Sequence, residues 1–180
     1  MNLNPSIFKA YDIRGKYPLE INEEIVREII SSFISKLKTP RSRTSSLRGR
    51  QNSKLKVIIA HDARLSSPSL YKALNKNLKI DNSCLPVGMG KLKIVPAGMT
   101  TTPMLYFLVN KLKADFGIMI TASHNPKEYN GLKIVGKNAI PISGNEIYKN
   151  LRWFFKKEFK SPKKIEGCFW LFKRDNGTNT

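Results

Sequence analysis

Cysteine is nearly missing from this 180-residue chain: Cys84 and Cys168 are its two thiols, isolated and without a CxxC spacing. That excludes a paired-cysteine metal site and the dense disulfide framework of a small secreted domain. Free buried thiols in a reducing compartment are expected instead. Long apolar runs are missing as well. No stretch approaches the roughly 18 residues of a membrane-spanning helix, and the start, M-N-L-N-P-S-I-F, lacks a basic segment followed by an apolar one. A soluble, cytoplasmic chain is expected. Zinc-finger spacing and the glycine-aromatic pattern of an RNA-binding sheet are absent. So is G-x-S-x-G, which excludes an α/β-hydrolase nucleophile elbow, and there is no internal repeat. Acidic residues are scarce: 13 Asp and Glu against 32 Lys and Arg give a charge of +19. Such a balance suits nucleic acid, an anionic membrane, or a lysine-rich surface that binds small phosphates. Lysine outnumbers arginine and is scattered over nearly every segment, which favours small phosphates over nucleic acid.

What is present points to a folded domain. A hydrophobic content of 41% supports a core, and the length is that of one domain with or without an appendage. Phe8 to Gly15 reads as a short strand or extended loop that ends on a glycine turn. Ile21, Ile25, Ile29, Phe33 and Leu37 recur every four residues and predict an amphipathic helix, with Asn22 as N-cap and Glu23 and Glu24 in its first turn. Lys38 to Lys54 is basic, serine-rich and aperiodic, a surface loop. Val57–Ala60 suits a buried strand. After H-D-A-R-L-S-S-P comes a helix through Leu70, Ala73, Leu74 and Leu78, with Ser67 as N-cap and Pro68 first in the helix.

Ile80 to Met99 shows no clear period. Thr102-Pro103 opens a helix to Lys113, Phe116–Ile120 is a strand, and Asn130-Gly131 predicts a turn with a strand behind it. From Gly144 a further helix carries Ile147, Leu151, Phe154 and Phe155 on one side. Beyond Pro162 an aromatic run, C-F-W-L-F, fades into polar residues. Strands alternating with helices predict an α/β layered domain. It is expected over residues 1–145, with 146–180 as a helical and aromatic tail.

In open α/β sheets ligands bind beyond the carboxyl ends of the strands. Three polar loops fall there: D-I-R-G, H-D-A-R-L-S-S and T-A-S-H-N-P. They present Arg14, Arg64, Ser123, His124 and, downstream, Lys133, a candidate nucleophile among cations suited to a phosphate. Each has a plainer reading too. T-A-S-H-N-P is also a capped turn, with Ser123 or Asn125 bonding backbone groups. Ser123 and His124, as neighbours in an extended loop, are expected to point apart. Arg14 beside Asp12 reads as a surface ion pair, worth roughly 0–1 kcal/mol. Asp62 and Arg64 read as braces of their loop, and Lys133 faces solvent, opposite to Leu132 and Ile134.

The order Y-D-I-R-G, D-A-R-L-S-S-P, T-T-P and T-A-S-H-N-P-K-E-Y-N-G-L-K resembles the first domain of the α-D-phosphohexomutases, the phosphoglucomutase/phosphomannomutase enzymes. The resemblance covers residues 7 to 145. It implies a mixed sheet covered by helices. It implies that Ser123 is phosphorylated and passes its phosphoryl group to a hexose monophosphate, exchanging phosphate between the 1- and 6-positions through a hexose 1,6-bisphosphate. That bisphosphate is also the implied activator. Mg²⁺ is the implied cofactor, with an oxygen of the Ser123 phosphate as one ligand. Arg14 and Lys133 match basic catalytic and substrate-binding residues, with Lys133 as the proton carrier. His124 matches a residue that shapes the site, and Tyr11 and Asn125 match supporting substrate contacts.

The match has departures. His61 and Ala63 stand where the family has an arginine and a threonine, which implies a looser loop. The basic segment around Arg41–Arg50 is longer than the family pattern. The family's metal loop, sugar-recognition loop and distal-phosphate loop are not found, so the chain is expected to be a fragment that is not active alone: an isolated N-terminal domain, the product of a split or decaying gene, or one piece that works beside another chain supplying those parts. A second reading, a non-catalytic basic module that binds nucleic acid or an acidic partner through Arg41–Lys54, rests on charge alone.

Overall fold

Val57–Ala60 is apolar at every position because both of its faces are covered. Ile58 and Ala60 pack on one side, Val57 and Ile59 on the other, and all four are buried. The structure, a computed structural model, describes residues 4–37, 55–83 and 92–158. The basic Lys38–Lys54 segment, both cysteines and the aromatic run beyond Pro162 lie outside the described residues. Within them the strands are β1 (Ile13–Lys16), β2 (Lys56–His61), β3 (Lys93–Met99), β4 (Phe116–Ile120), β5 (Tyr129–Val135) and β6 (Pro141–Ile142). The helices are α1 (Glu23–Leu37), α2 (Ser67–Ser83), α3 (Thr102–Lys111) and α4 (Gly144–Glu158). The strands form one mixed sheet in the order β1-β5-β4-β2-β3, with β6 also paired to β5. β2 runs parallel to β3 and β4, whereas β5 is antiparallel to β4, β1 and β6.

Helices cover both faces. On one, Val26, Ile29 and Ile30 of α1, Leu70 and Leu74 of α2, and Ile147 of α4 meet Val57, Ile59, Ile118, Ile120, Leu132 and Ile134. On the other, Leu105 and Val109 of α3 meet Ile58, Ala60, Met119 and Val135. The expected α/β layered domain with a mixed sheet is thus the observed one. The helix beyond residue 145 belongs to it, because Ile147 and Leu151 are buried in the main core. Among the described residues no helix is long and apolar enough to cross a membrane.

Local expectations divide by how much they depend on distant contacts. Asn22 caps α1, its Oδ1 accepting the Ile25 N–H at 3.0 Å. Ser67 is the first residue of α2, but its hydroxyl turns into the neighbouring loop instead of capping. Gly15 lies inside β1, opposite Asn130, not in a turn. Asn130 and Gly131 lie inside β5 and are buried. β3 falls in the stretch without a clear period. It is an edge strand that contains Pro96, with a register shift opposite Ile59/Ala60 and Gly98 at φ 68°.

A polar cluster ties the start of α1 to α2. Glu23 Oε1 accepts the Tyr17 hydroxyl at 2.9 Å and also the Ser69 hydroxyl. Burial raises the Glu23 pKa, but hydrogen bonds from Ser69, its own backbone N–H and Tyr17 outweigh it and hold the carboxyl below its ordinary 4.5. A depressed carboxylate contributes stability above its unfolded value and loses it as pH falls through the folded one. Glu23→Gln is therefore expected to be less stable than the native chain at pH 7, with the gap closing below about pH 4.5 in urea titrations. A gap that stays constant down to pH 3 contradicts this.

Candidate active site

Thr121 closes the turn at the end of β4. Its Oγ1 accepts the Ser123 N–H at 2.9 Å, and Asn125 N–H reaches the Ala122 carbonyl at 3.1 Å. The turn is capped, as the plain reading has it, but the capping side chain is Thr121 rather than Ser123 or Asn125. This leaves the Ser123 hydroxyl exposed and unbonded to backbone, with His124 Nδ1 at 3.3 Å. Ser123 has φ 57°, the left-handed region that is uncommon for a residue with a Cβ. The loop is therefore not extended, which is why Ser123 and His124 meet instead of pointing apart.

Arg64 holds this loop from the end of β2. Its Nη1 donates to the carbonyls of Pro126 at 2.7 Å and Tyr129 at 3.0 Å. Its Nη2 donates to the carbonyls of Ser123 at 2.9 Å and Asn125 at 2.6 Å. Its Nε donates to Asp62 Oδ2 at 3.2 Å. A guanidinium has five N–H groups, and all five are engaged. The Asp62 carboxylate also accepts the Arg64 N–H at 3.1 Å and the Ser67 hydroxyl at 2.5 Å. Buried Asn130 donates to the Ser66 and Ser67 hydroxyls at 2.7 and 3.0 Å. Asp62 and Arg64 brace the loop, as their plainer reading has it, and every N–H of the Arg64 guanidinium is already engaged within the protein. His61 is tied to the same loop: its Nδ1 lies 2.8 Å from the Asp62 carbonyl, and its ring packs on Tyr71 at 4.8 Å.

Arg14 and Lys133 come from the sheet itself. Arg14 is the cross-strand partner of Gly131, and Lys133 that of Met119. Antiparallel partners share a face and alternate residues along a strand do too. Arg14 and Lys133 therefore project from the same face, the one on which α3 packs. Lys133 Nζ lies 5.9 Å from the centre of the Tyr106 ring, half-buried rather than in open solvent. Arg14 is not in a surface ion pair. Its partner Asp12 is buried, with Arg14 Nη2 at 2.6 Å and side-chain exposures of 22% and 5%. Tyr11 precedes β1 with an exposed ring.

A shallow cavity of about 390 Å³ is lined by Asp62, Ala63, Arg64, Ser123, Asn125 and Lys127. It gathers the second and third loops around Ser123, whereas Tyr11, Arg14 and Lys133 are not among its walls. Lys127 is a wall residue that the motifs do not single out, although its place directly after Asn125-Pro126 points to it. Among the described residues no three His, Cys, Asp or Glu side chains converge to hold a metal ion. The described residues thus offer no such cluster to a Mg²⁺ ion.

Residues 5–160 match the family described as phosphoglucomutase/phosphomannomutase, alpha/beta/alpha domain I. The chain belongs to the phosphoglucomutase/phosphomannomutase family. It is 36% identical over 138 residues to a Xanthomonas campestris protein named phosphohexose mutases, covering 77% of this chain and 25% of that protein. It is 39% identical over 138 residues to a phosphomannomutase of Escherichia coli K12, again 77% and 25%. A Klebsiella pneumoniae phosphomannomutase is 38% identical over 145 residues, 81% of this chain and 77% of its own. Among solved structures, a phosphoglucomutase/phosphomannomutase family protein of Burkholderia thailandensis superposes with TM-score 0.63 at 29% identity, over 88% of this chain and 31% of that one. The chain thus spans about a quarter of the length of the Xanthomonas and E. coli relatives. What it shares with this phosphoglucomutase/phosphomannomutase family is domain I, the α/β/α unit that holds the Ser123 loop.

Proposed function

We propose that this domain serves phosphoryl transfer between the 1- and 6-positions of a hexose phosphate, with Ser123 as the carrier. The observation that supports the reading is the exposed hydroxyl of Ser123, which no backbone group engages. Thr121 caps the turn, Arg64 fixes its carbonyls, and Ser123 Oγ is left exposed beside His124 Nδ1. A loop made to terminate a strand needs no such residue.

In the transfer, the bond from phosphorus to Ser123 Oγ breaks as a bond to a sugar hydroxyl oxygen forms, and the hydroxyl proton passes to a base. The reverse exchange at the other sugar position restores the phosphoserine, so the sugar passes through a 1,6-bisphosphate. Positioning and charge neutralisation carry most of such a reaction. Lys133 would take the proton, and Arg14 would neutralise phosphate oxygens on the face it shares with Lys133. His124 would orient Ser123 Oγ, while Tyr11 and Asn125 would border the sugar phosphate. Mg²⁺ would supply further neutralisation, taking from this chain one oxygen ligand, on the phosphate of Ser123. Its other ligands would come from outside the described residues, in a further segment or a separate chain.

Incubation with glucose 1,6-bisphosphate and Mg²⁺, followed by peptide mass mapping, is expected to find one phosphate on the peptide containing Ser123 and none in Ser123→Ala. A folded chain that takes no phosphate there, or a Ser123→Ala variant that still does, overturns the reading.

A further inference from the structure

We infer that Asp12 is a positioning residue that fixes the Arg14 guanidinium for a phosphate monoester, and that Arg14, not Arg64, is the arginine open to it. The inference rests on the reading of Ser123 as a phosphoryl carrier and adds to it the group that orients its cation.

The two arginines differ in what their N–H groups do. Arg64 has all five engaged by Asp62 and four carbonyls. Arg14 has one edge engaged: Nε and Nη2 both meet Asp12 Oδ2, at 2.7 and 2.6 Å. The outer edge, Nη1 and the second N–H of Nη2, meets no acceptor among the described residues. That edge is the planar fork that suits phosphate oxygens.

Asp12 is unusual as a structural residue. It is 4% exposed, and its Oδ1 is buried without a hydrogen-bond donor among the described residues. A buried carboxylate with one oxygen unsatisfied is a poor source of stability, and an apolar residue would serve the fold better. The surroundings nevertheless hold it firmly. Its carbonyl accepts the Lys9 N–H at 2.8 Å. Gly144, at the start of α4, packs so closely that a Cβ would lie 2.4 Å from the same carbonyl. Ile13, the next residue, is locked opposite Leu132 with its side chain in the main core. Asp12 thus has a fixed place from which one oxygen grips one edge of Arg14. Sheet register then presents Arg14 on the face of Lys133. Without the carboxylate, a long, flexible side chain would have to be ordered by the phosphate itself, at a cost to affinity.

The test reads Arg14 directly. In ¹⁵N spectra of the native chain the Arg14 Nε–H is expected as a slowly exchanging signal. It should vanish in Asp12→Asn while the backbone amide pattern is kept. Glucose 1,6-bisphosphate titrations, followed by the amides of residues 121–128, should show about tenfold weaker binding in Asp12→Asn, the size of one charge-assisted hydrogen bond. Arg14→Gln should weaken binding at least as much, and the double variant no more than Arg14→Gln alone, because Asp12 acts through Arg14. A double variant whose losses multiply, or an Asp12→Asn chain that binds like the native one, overturns the inference. Should Asp12→Asn fail to fold, Asp12→Glu keeps the charge but displaces it by one methylene. It is expected to fold and still bind about tenfold more weakly, and native affinity in that variant counts against positioning. Failure of the native chain to bind the bisphosphate would tell against the Ser123 reading. The Nε–H signal and its response to Asp12→Asn would still decide the pairing.

Discussion

Gly131→Ala is expected to destabilise the domain by at least about 3 kcal/mol, more than most single core substitutions. A Cβ at residue 131 would lie 1.9 Å from the Ile13 carbonyl oxygen, 3.0 Å from the carbon that bears it and 3.1 Å from the Thr121 carbonyl oxygen. All three are backbone atoms, so no side chain can swing aside to make room. The added methyl is accommodated by moving β1 away from β5, and that loosens a ladder that pairs Ile13 with Leu132 and Arg14 with Gly131. The same residue accepts the Thr121 N–H at 3.0 Å through its carbonyl, so the start of the Ser123 loop moves with it. Urea unfolding should show a much lower midpoint, and Ser123 phosphorylation should fall further than the folded fraction. An unfolding free energy within about 0.5 kcal/mol of the native chain's, the size of an ordinary surface substitution, would mean that β1 does not lie against Gly131 in this way.

That glycine also shows where sequence reasoning stops. Asn130-Gly131 has the composition of a hairpin turn, and nothing local distinguishes it from one. Its actual use depends on residues far along the chain: Ile13, which leaves no space for a side chain, and Ser66 and Ser67, which accept the Asn130 amide. By contrast β4 and the first turns of α1 are legible, because an apolar run or a four-residue spacing reports burial directly, and Asn22 caps its own helix. β3 is hidden because an edge strand needs less apolar character and tolerates Pro96 and Gly98. In the site, the candidate residues Ser123, His124, Arg14 and Lys133 could be named from motif order. Three facts could not: the positive φ that brings His124 to Ser123, the capping role of Thr121, and the full engagement of the Arg64 guanidinium where Arg14 has one edge engaged. All three depend on which hydrogen bonds the fold completes, and residue type does not encode that choice.

Arg64→Ala is expected to cost about 2–4 kcal/mol and to reduce phosphorylation of Ser123 more than the loss of folded protein explains. The first effect follows from what is left behind. Four loop carbonyls lose donors, and Asp62, whose side chain is 21% exposed, loses its cation while still accepting the Ser67 hydroxyl. Water can replace some of these bonds at the loop surface, which keeps the cost below a sum over five. The second effect follows from geometry. Arg64 grips Ser123 and Asn125 with one nitrogen and Pro126 and Tyr129 with another, so it sets the path of the backbone on both sides of His124. Released, Ser123 can leave its left-handed conformation, and its hydroxyl no longer has a fixed direction. Arg64→Lys separates charge from shape: an ammonium keeps the ion pair with Asp62 but has three donors on one atom and cannot span four carbonyls. Lysine should therefore recover part of the stability and little of the phosphorylation rate, measured where each variant is fully folded. If Arg64→Lys restores the rate, Arg64 contributes charge to the site rather than shape, and the anion-binding role assigned here to Arg14 alone would be shared.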